Sequence, residues 1–389
     1  MGHHTLPVLL LFLLASFAGA QTKPRARDLG VPFEGTPGPM NAITDVAGVE
    51  VGHQTLIEGD SVRTGVTVVW PRGKASSDPT FSGFFSQNGN GDMTGTHWLT
   101  ESGFLDGPVL ITNTHSVGVV RDAFLNWLVK NNRKPGTNTF AAGFYTYPVV
   151  AETWDGVLND INGFHVKPSD VDAAIAAASS GPVPEGNVGG GTGMICYGFK
   201  GGIGTSSRKL DASQGGYTVG VLVQCNCGAR RQLLVAGVPV GEEIVRNQPR
   251  ASAGWPYRPD VGSIIIVVAT DAPLLPHQVQ RLTRRATMGL ARTGSTSGNG
   301  SGDIFIAFST ANPNVAAAKE PVNVTMLPND SINPIFEATV QATEEAIVNA
   351  MVGAETMSGA HGSMVTALPH DQLRDALKKY NRLVEPPAR

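Results

Sequence analysis

Gly262-Ser263-Ile264-Ile265-Ile266-Val267-Val268-Ala269 is the stretch on which the reading of this chain turns. Six consecutive apolar residues, five of them β-branched, form the most strongly β-forming segment of the sequence, and a run with no polar alternation describes a buried strand. Upstream, residues 251–260 are polar and carry Gly254, Pro256 and Pro259, the composition of an exposed loop. Downstream, 276–291 has the apolar spacing of an amphipathic helix, and Ser301-Gly302-Asp303 leads into a second apolar strand at 304–308. Pro334 heads a long helix that runs to about residue 351 and stops at Gly353, and a last helix over 371–380 precedes a Pro-Pro tail.

The N-terminal side reads in the same alternating manner. Residues 217–224 form a buried β-branched strand with Asn226 just past it. Residues 108–112 form another strand, and helical spacing covers 122–131 and the alanine-rich stretch from Ser169 to near Gly181. Residues 42–69 alternate apolar and polar side chains around Gly48 and Gly52, as short strands and turns do, whereas 76–95 is rich in Gly, Ser and Asn and reads as loop. Eight glycines fall between 189 and 204, but no nucleotide-loop spacing fits them, so they are read as close backbone packing or a substrate-lining turn. There is no internal repeat.

Composition narrows the function. With 16% charged residues and a net charge of -3 there is no basic stripe for phosphates or anionic lipid, so nucleic acid is excluded as a partner. The apolar run of residues 8–14, followed by Ala18-Gly19-Ala20, reads as a secretory signal peptide over 1–20, too short to span a bilayer; a retained N-terminal anchor is the alternative. A periplasmic or secreted protein is expected, with no membrane attachment after signal removal. Cys196, Cys225 and Cys227 are too few for a disulfide framework and too few for a zinc site; they read as buried free thiols, with Cys196 reaching the others only if the fold brings it there.

Ser263 stands first in its strand, after a glycine with no side chain to obstruct it. If the 262–263 bond were cut, its hydroxyl and a new α-amino group would be held together on one residue. Such an amine has a pKa of about 7.7–8.0 and serves as a base near neutral pH. By spacing alone the Gly-Ser pair is equally a turn.

Six blocks carry a resemblance across almost the whole mature chain: Ile43-Thr-Asp-Val-Ala-Gly-Val-Glu-Val-Gly-His53, Pro148-Val-Val-Ala-Glu-Thr-Trp-Asp-Gly156, Gly201-Gly-Ile-Gly-Thr-Ser-Ser-Arg208, Gly220-Val-Leu-Val-Gln-Cys-Asn-Cys-Gly228, Gly262-Ser-Ile-Ile-Ile-Val-Val-Ala-Thr-Asp-Ala-Pro273 and Gly298-Asn-Gly-Ser-Gly-Asp-Ile304. The chain resembles the self-processing L-aminopeptidase/D-esterase and β-aminopeptidase family of N-terminal serine hydrolases. The resemblance implies an α/β fold, a layered α/β/β/α sandwich forming a single body from two autoproteolytic fragments, 21–262 and 263–389, assembled into homo-oligomers. It implies cleavage between Gly262 and Ser263, with Ser263 as nucleophile, Ser301 and Asp303 in its proton network and Asn226 as oxyanion donor. Some relatives carry glutamate where this chain has Asp303. Glu152 falls where relatives bind the free ammonium of the substrate, and Trp154 stands where some carry tyrosine. The substrate implied is a small peptide, amide or ester with a free N-terminal amine, and neither metal nor organic cofactor is called for. None of the nine histidines is required, although His115, at a strand end, is placed to line the site.

Two other readings stand beside it. An acyl transferase of the ornithine acetyltransferase type resembles this family in fold but carries threonine at the processing site, where this chain has Ser263. A non-catalytic exported binding protein would keep the 262–263 bond intact.

Overall fold

A computed structural model describes residues 23–134, 139–140, 143–246, 249 and 262–385. Residues 1–20, expected as a signal peptide, and residues 251–260, expected as a loop, lie outside these residues. Ten strands build the two main sheets: β1 (Glu50–Glu58), β2 (Val62–Trp70), β3 (Thr80–Gly89), β4 (Phe104–Leu105), β5 (Val109–Asn113), β6 (Val149–Thr153), β7 (Gly202–Lys209), β8 (Thr218–Asn226), β9 (Ser263–Thr270) and β10 (Gly302–Ser309). The first sheet has the order β1-β2-β5-β6 and the second β7-β8-β9-β10-β3-β4. Helices α1 (Val117–Lys130) and α2 (Pro168–Ala177) cover the first sheet, while α3 (Pro276–Arg292) and α4 (Asn333–Val352) cover the second. The layers therefore run α/β/β/α.

Pleating of the decisive strand explains the layering. Ile264, Ile266 and Val268 enter the core shared with α3 and α4, while Ile265, Val267 and Ala269 enter the core between the sheets. Successive side chains point to opposite faces, so only a strand apolar at every position fills both. Leu222 of β8, Ile304 and Ile306 of β10, and Val109, Ile111 and Val149 of the first sheet complete the inter-sheet layer. Val66, Val68 and Leu110 pack against Val120, Phe124 and Ile175 on the far side. β9 is an interior strand, antiparallel to β8 and parallel to β10, so the chain on either side of residue 262 belongs to one body.

Several boundaries depart from the sequence reading. Residues 80–89, read as loop, are the ten-residue strand β3. Its Ser, Gly and Asn content hid the apolar Phe81, Phe84 and Phe85, and Gly83 is required by close packing: a Cβ there would lie 2.4 Å from the Cα of Gln280 in α3. Helix α1 begins at Val117, five residues earlier than its spacing suggested, because Val117 and Val120 are buried by tertiary packing that overrides their β propensity. Asn226 is the last residue of β8, within the strand and not past it. The 42–69 element is a long hairpin, β1 and β2 pairing over nine residues each. The long helix, Asn333–Val352, and the last helix, His370–Lys379, lie within a residue or so of their expected bounds. No helix among the described residues is long and apolar enough to cross a membrane.

Candidate active site

Ser263 opens β9 in register with Asn226 at the end of β8 on one side and Gly302 at the start of β10 on the other. The N–H of Gly302 donates to the carbonyl oxygen of Gly262 at 3.1 Å. Only glycine fits at 262, since a Cβ would stand 2.1 Å from the backbone oxygen of Asn226. Ser263 is buried, as are Asn226, Ser301 and Asp303 around it.

The Asn226 amide is held at both ends. Its Oδ1 accepts the N–H of Ile195 at 2.8 Å, and its Nδ2 donates to the carbonyl oxygen of Trp154 at 2.8 Å. A donor on one side and an acceptor on the other permit only one orientation of the amide. Nδ2 carries two hydrogens, so one N–H remains after the bond to Trp154.

On the β10 side, the hydroxyl of Ser301 donates to Asp303 Oδ1 at 2.5 Å. The aspartate reaches Ser301 directly because the two residues flank Gly302 at the turn into β10. The turn is pinned from β3 and the residue after it: Asn88 Nδ2 donates to the carbonyl oxygens of Gly298 and Ser297, and Asn90 Nδ2 to that of Gly300.

Glu152 comes from the other sheet. It lies on β6 opposite Thr112 of β5, and a bridge between Met93 and Ala151 brings the 90–93 turn alongside. Glu152 Oε1 accepts the N–H of Asp92 at 2.9 Å, and Oε2 accepts the hydroxyl of Thr114. Burial pushes its carboxyl above the usual glutamate value, with the nearby Asp92 adding to this while the two hydrogen bonds and His115 pull the other way. No ion pair among the described residues involves Glu152. Asn90, Gly91, Asp92, Thr114, Glu152, Trp154, Gly262, Ser263 and Gly300 line one cleft of ≈ 300 Å³. A serine hydroxyl and a buried carboxylate thus open onto a single small space.

The fold brings all the sequence-derived residues into this region. Ser263, Gly262, Glu152 and Trp154 line the cleft, Asn226 neighbours Ser263 in register, and Ser301 and Asp303 flank its other strand partner. His115 is exposed, with its ring stacked on Phe164. Sequence reasoning missed Thr114, Asp92 and Asn90. Thr114 adjoins His115, and Asn90-Gly91-Asp92 falls in the 76–95 stretch read as loop; a hydroxyl, a backbone N–H and an amide bonded to a backbone carbonyl act here, which no residue-type pattern marks.

Comparison with known proteins identifies the family and the fold. The model of Peptidase family S58 matches residues 41–365. The chain is 54% identical to a β-peptidyl aminopeptidase of Sphingosinicella microcystinivorans over 97% of its own length and 98% of the relative's. Among solved structures, a β-aminopeptidase of a Burkholderia species aligns with a TM-score of 0.83 at 48% identity, covering 94% of this chain and all of that one. The L-aminopeptidase D-Ala-esterase/amidase of Ochrobactrum anthropi, described as a variant of the N-terminal-nucleophile hydrolase fold, aligns at 0.85 and 47% identity over 93% of this chain. The chain belongs to peptidase family S58, and it is an aminopeptidase built on the N-terminal-nucleophile hydrolase fold.

Proposed function

We propose that this aminopeptidase makes its own nucleophile by cutting the Gly262–Ser263 bond, and that it then releases N-terminal residues from small peptides, amides or esters through an acyl-enzyme on Ser263. The observation that carries the reading is the shared cleft of ≈ 300 Å³, with Ser263 at one part of its lining and Glu152 at another. In the precursor, the hydrogen bond from Gly302 to the Gly262 carbonyl polarises the bond to be cut. Attack by the Ser263 hydroxyl on that carbonyl forms a C–O bond as the Gly262–Ser263 C–N bond breaks, giving an ester and a free α-amine on Ser263; water then hydrolyses the ester, leaving a carboxylate on Gly262 and the hydroxyl on Ser263. That amine then takes the hydroxyl proton as substrate is attacked, since its ordinary pKa of about 7.7–8.0 leaves a useful fraction of it unprotonated near neutral pH.

Each neighbour has a part in the same scheme. The remaining N–H of Asn226 stabilises the tetrahedral oxyanion, and Asn226→Ala is expected to cost about 10²–10³ in kcat. Ser301 and Asp303 keep the proton network oriented. Glu152 pairs with the ammonium of the substrate, which limits turnover to substrates with a free N-terminus. Trp154 bounds the space for the first side chain. The relatives named for β-peptidyl substrates favour a β-aminoacyl residue at that position, with the L-aminopeptidase and D-Ala-esterase neighbour marking the alternative preference. Export by cleavage of a signal peptide after residue 20, a periplasmic or secreted location, and homo-oligomeric assembly belong to the same proposal.

The test is hydrolysis of matched β-alanyl, L-alanyl and D-alanyl amides, each with a free and an acetylated amine. Turnover confined to free amines supports the assignment of Glu152, and equal rates on acetylated substrates would remove it. Size-exclusion chromatography with light scattering decides the assembly, a monomeric mass contradicting it.

A further inference from the structure

Directly behind Asn226, on the face of the second sheet that packs against α4, three thiols meet. Cys196 ends the short strand Ile195–Cys196, Cys225 lies in β8 and Cys227 follows it; all three are free and buried. Their sulfurs lie within 4.8 Å of one another, and the Cys196 and Cys227 sulfurs are 3.7 Å apart. These two residues are flanked by hydrogen bonds between the same two segments. The N–H of Ile195 donates to Asn226 Oδ1 at 2.8 Å, and the N–H of Tyr197 donates to the carbonyl oxygen of Cys227 at 2.7 Å. Cys225 and Cys227, two positions apart, are separated by about 6.5 Å along the chain, near the upper limit of the Cα spacings a disulfide spans, so the 3.7 Å sulfur contact singles out Cys196 and Cys227.

The surroundings favour a reactive thiolate. Lys200 is fully buried, and its ammonium donates to the carbonyl oxygens of Met194 at 2.8 Å and Gly201 at 2.9 Å, with Gly191 at 3.5 Å. Burial pulls Lys200 down to about 7, while the Coulombic attraction of Cys196 and Asp155 resists. Burial opposes ionisation of Cys196, yet hydrogen bonds from Cys225 and Cys227 and the charge of Lys200 outweigh it and hold this thiol well below its ordinary value. A thiolate is the attacking species in thiol–disulfide exchange.

We propose that Cys196 and Cys227 are a thiol–disulfide site whose closure clamps the Ile195–Asn226 contact, with Cys225 remaining a thiol. The co-reactant is an external disulfide of the glutathione class. The Cys196 thiolate attacks one of its sulfurs, breaking that S–S bond and expelling the other half as a thiolate. Cys227, on losing its proton, attacks the Cys196 sulfur of the mixed disulfide and releases the second half. Two protein thiols give up two protons and two electrons, and the external disulfide becomes two thiols. Because the pair is buried, exchange takes place during folding or local opening. Both cysteines precede Gly262, so the bond is independent of cleavage at that position.

The test uses the full chain and its Ser263→Ala variant, each refolded with reduced or with oxidised glutathione, then denatured, alkylated and mapped by mass spectrometry. The expected result with oxidised glutathione, in both proteins, is a peptide pair linked through Cys196 and Cys227, one alkylated thiol at Cys225, and a Tm raised by about 5–10 °C over the reduced form. Cys225→Ala is expected to keep the linked pair. Three alkylated thiols after oxidative refolding, a bond that includes Cys225, or a linked protein whose Tm is unchanged would overturn the proposal. Since Ser263→Ala cannot self-cleave under the proposed function, a linked Ser263→Ala chain separates the fate of this site from that of the function reading.

Discussion

Glu152 and Glu345 are both buried carboxylates, and they are satisfied in opposite ways. Glu345, on α4, is bound by Arg208 Nη2 at 2.8 Å, by Arg27 Nη2 at 2.9 Å and by Asn41 Nδ2 at 2.6 Å. Burial opposes its ionisation, yet the two guanidinium groups prevail and hold its carboxyl below the usual value. Glu152 is bound by a backbone N–H and a hydroxyl, with no cation paired to it among the described residues, and its carboxyl is pushed up. A charge that the fold itself neutralises holds the fold together. A charge left with neutral partners beside a cleft costs the fold stability and is placed to receive a cation from outside.

The largest effect that separates the two is on stability. Glu345→Gln leaves the buried Arg208 guanidinium and the half-buried Arg27 guanidinium without their anion and is expected to lower unfolding free energy by about 3–5 kcal/mol, measured by urea denaturation. Glu152→Gln is expected to leave stability unchanged or higher, while kcat/KM for free-amine substrates falls about 10–100-fold, the loss of a charged hydrogen bond. If Glu152→Gln destabilised the chain as Glu345→Gln does, the contrast would collapse.

The pH dependence sharpens the same contrast. In the folded state Glu152 holds its proton above the ordinary glutamate value of 4.5, so native protein binds more protons than unfolded and stability falls as pH rises from 4.5 through the raised value. Glu345 has the opposite sign: its contribution is present above 4.5 and is lost as pH drops through the lowered folded value. Denaturation series for each Gln variant should each lose one of these slopes. For activity, kcat/KM on free-amine substrates should rise with pH through a value above 4.5 as Glu152 ionises, and this limb should vanish in Glu152→Gln. Smallest is Thr114→Val, which removes one donor to Glu152 and should move that limb further up while lowering kcat/KM by about threefold to tenfold.

Much of this was legible in the sequence, for physical reasons. The run after Ser263 reads as a strand filling two cores, α3 carries clear helical periodicity, and α4 is marked by its proline and glycine boundaries. The resemblance blocks named the residues that the fold then gathers from β6, β8, β9 and β10. β3 was lost because glycine and serine serve close packing against α3 as well as loops. Thr114, Asp92 and the Cys196–Cys227 proximity were invisible because they depend on segments distant in sequence being brought side by side. Glu152 and Glu345 look alike as letters; only their partners distinguish them.

The most direct test of the account is intact mass spectrometry, under denaturing conditions, of the wild-type chain and of Ser263→Ala purified in parallel. The account predicts two wild-type fragments, one ending at Gly262 and one beginning at Ser263, and a single uncut, inactive Ser263→Ala chain. A wild-type chain that is active while intact, or a Ser263→Ala chain that is cut or active, would contradict it.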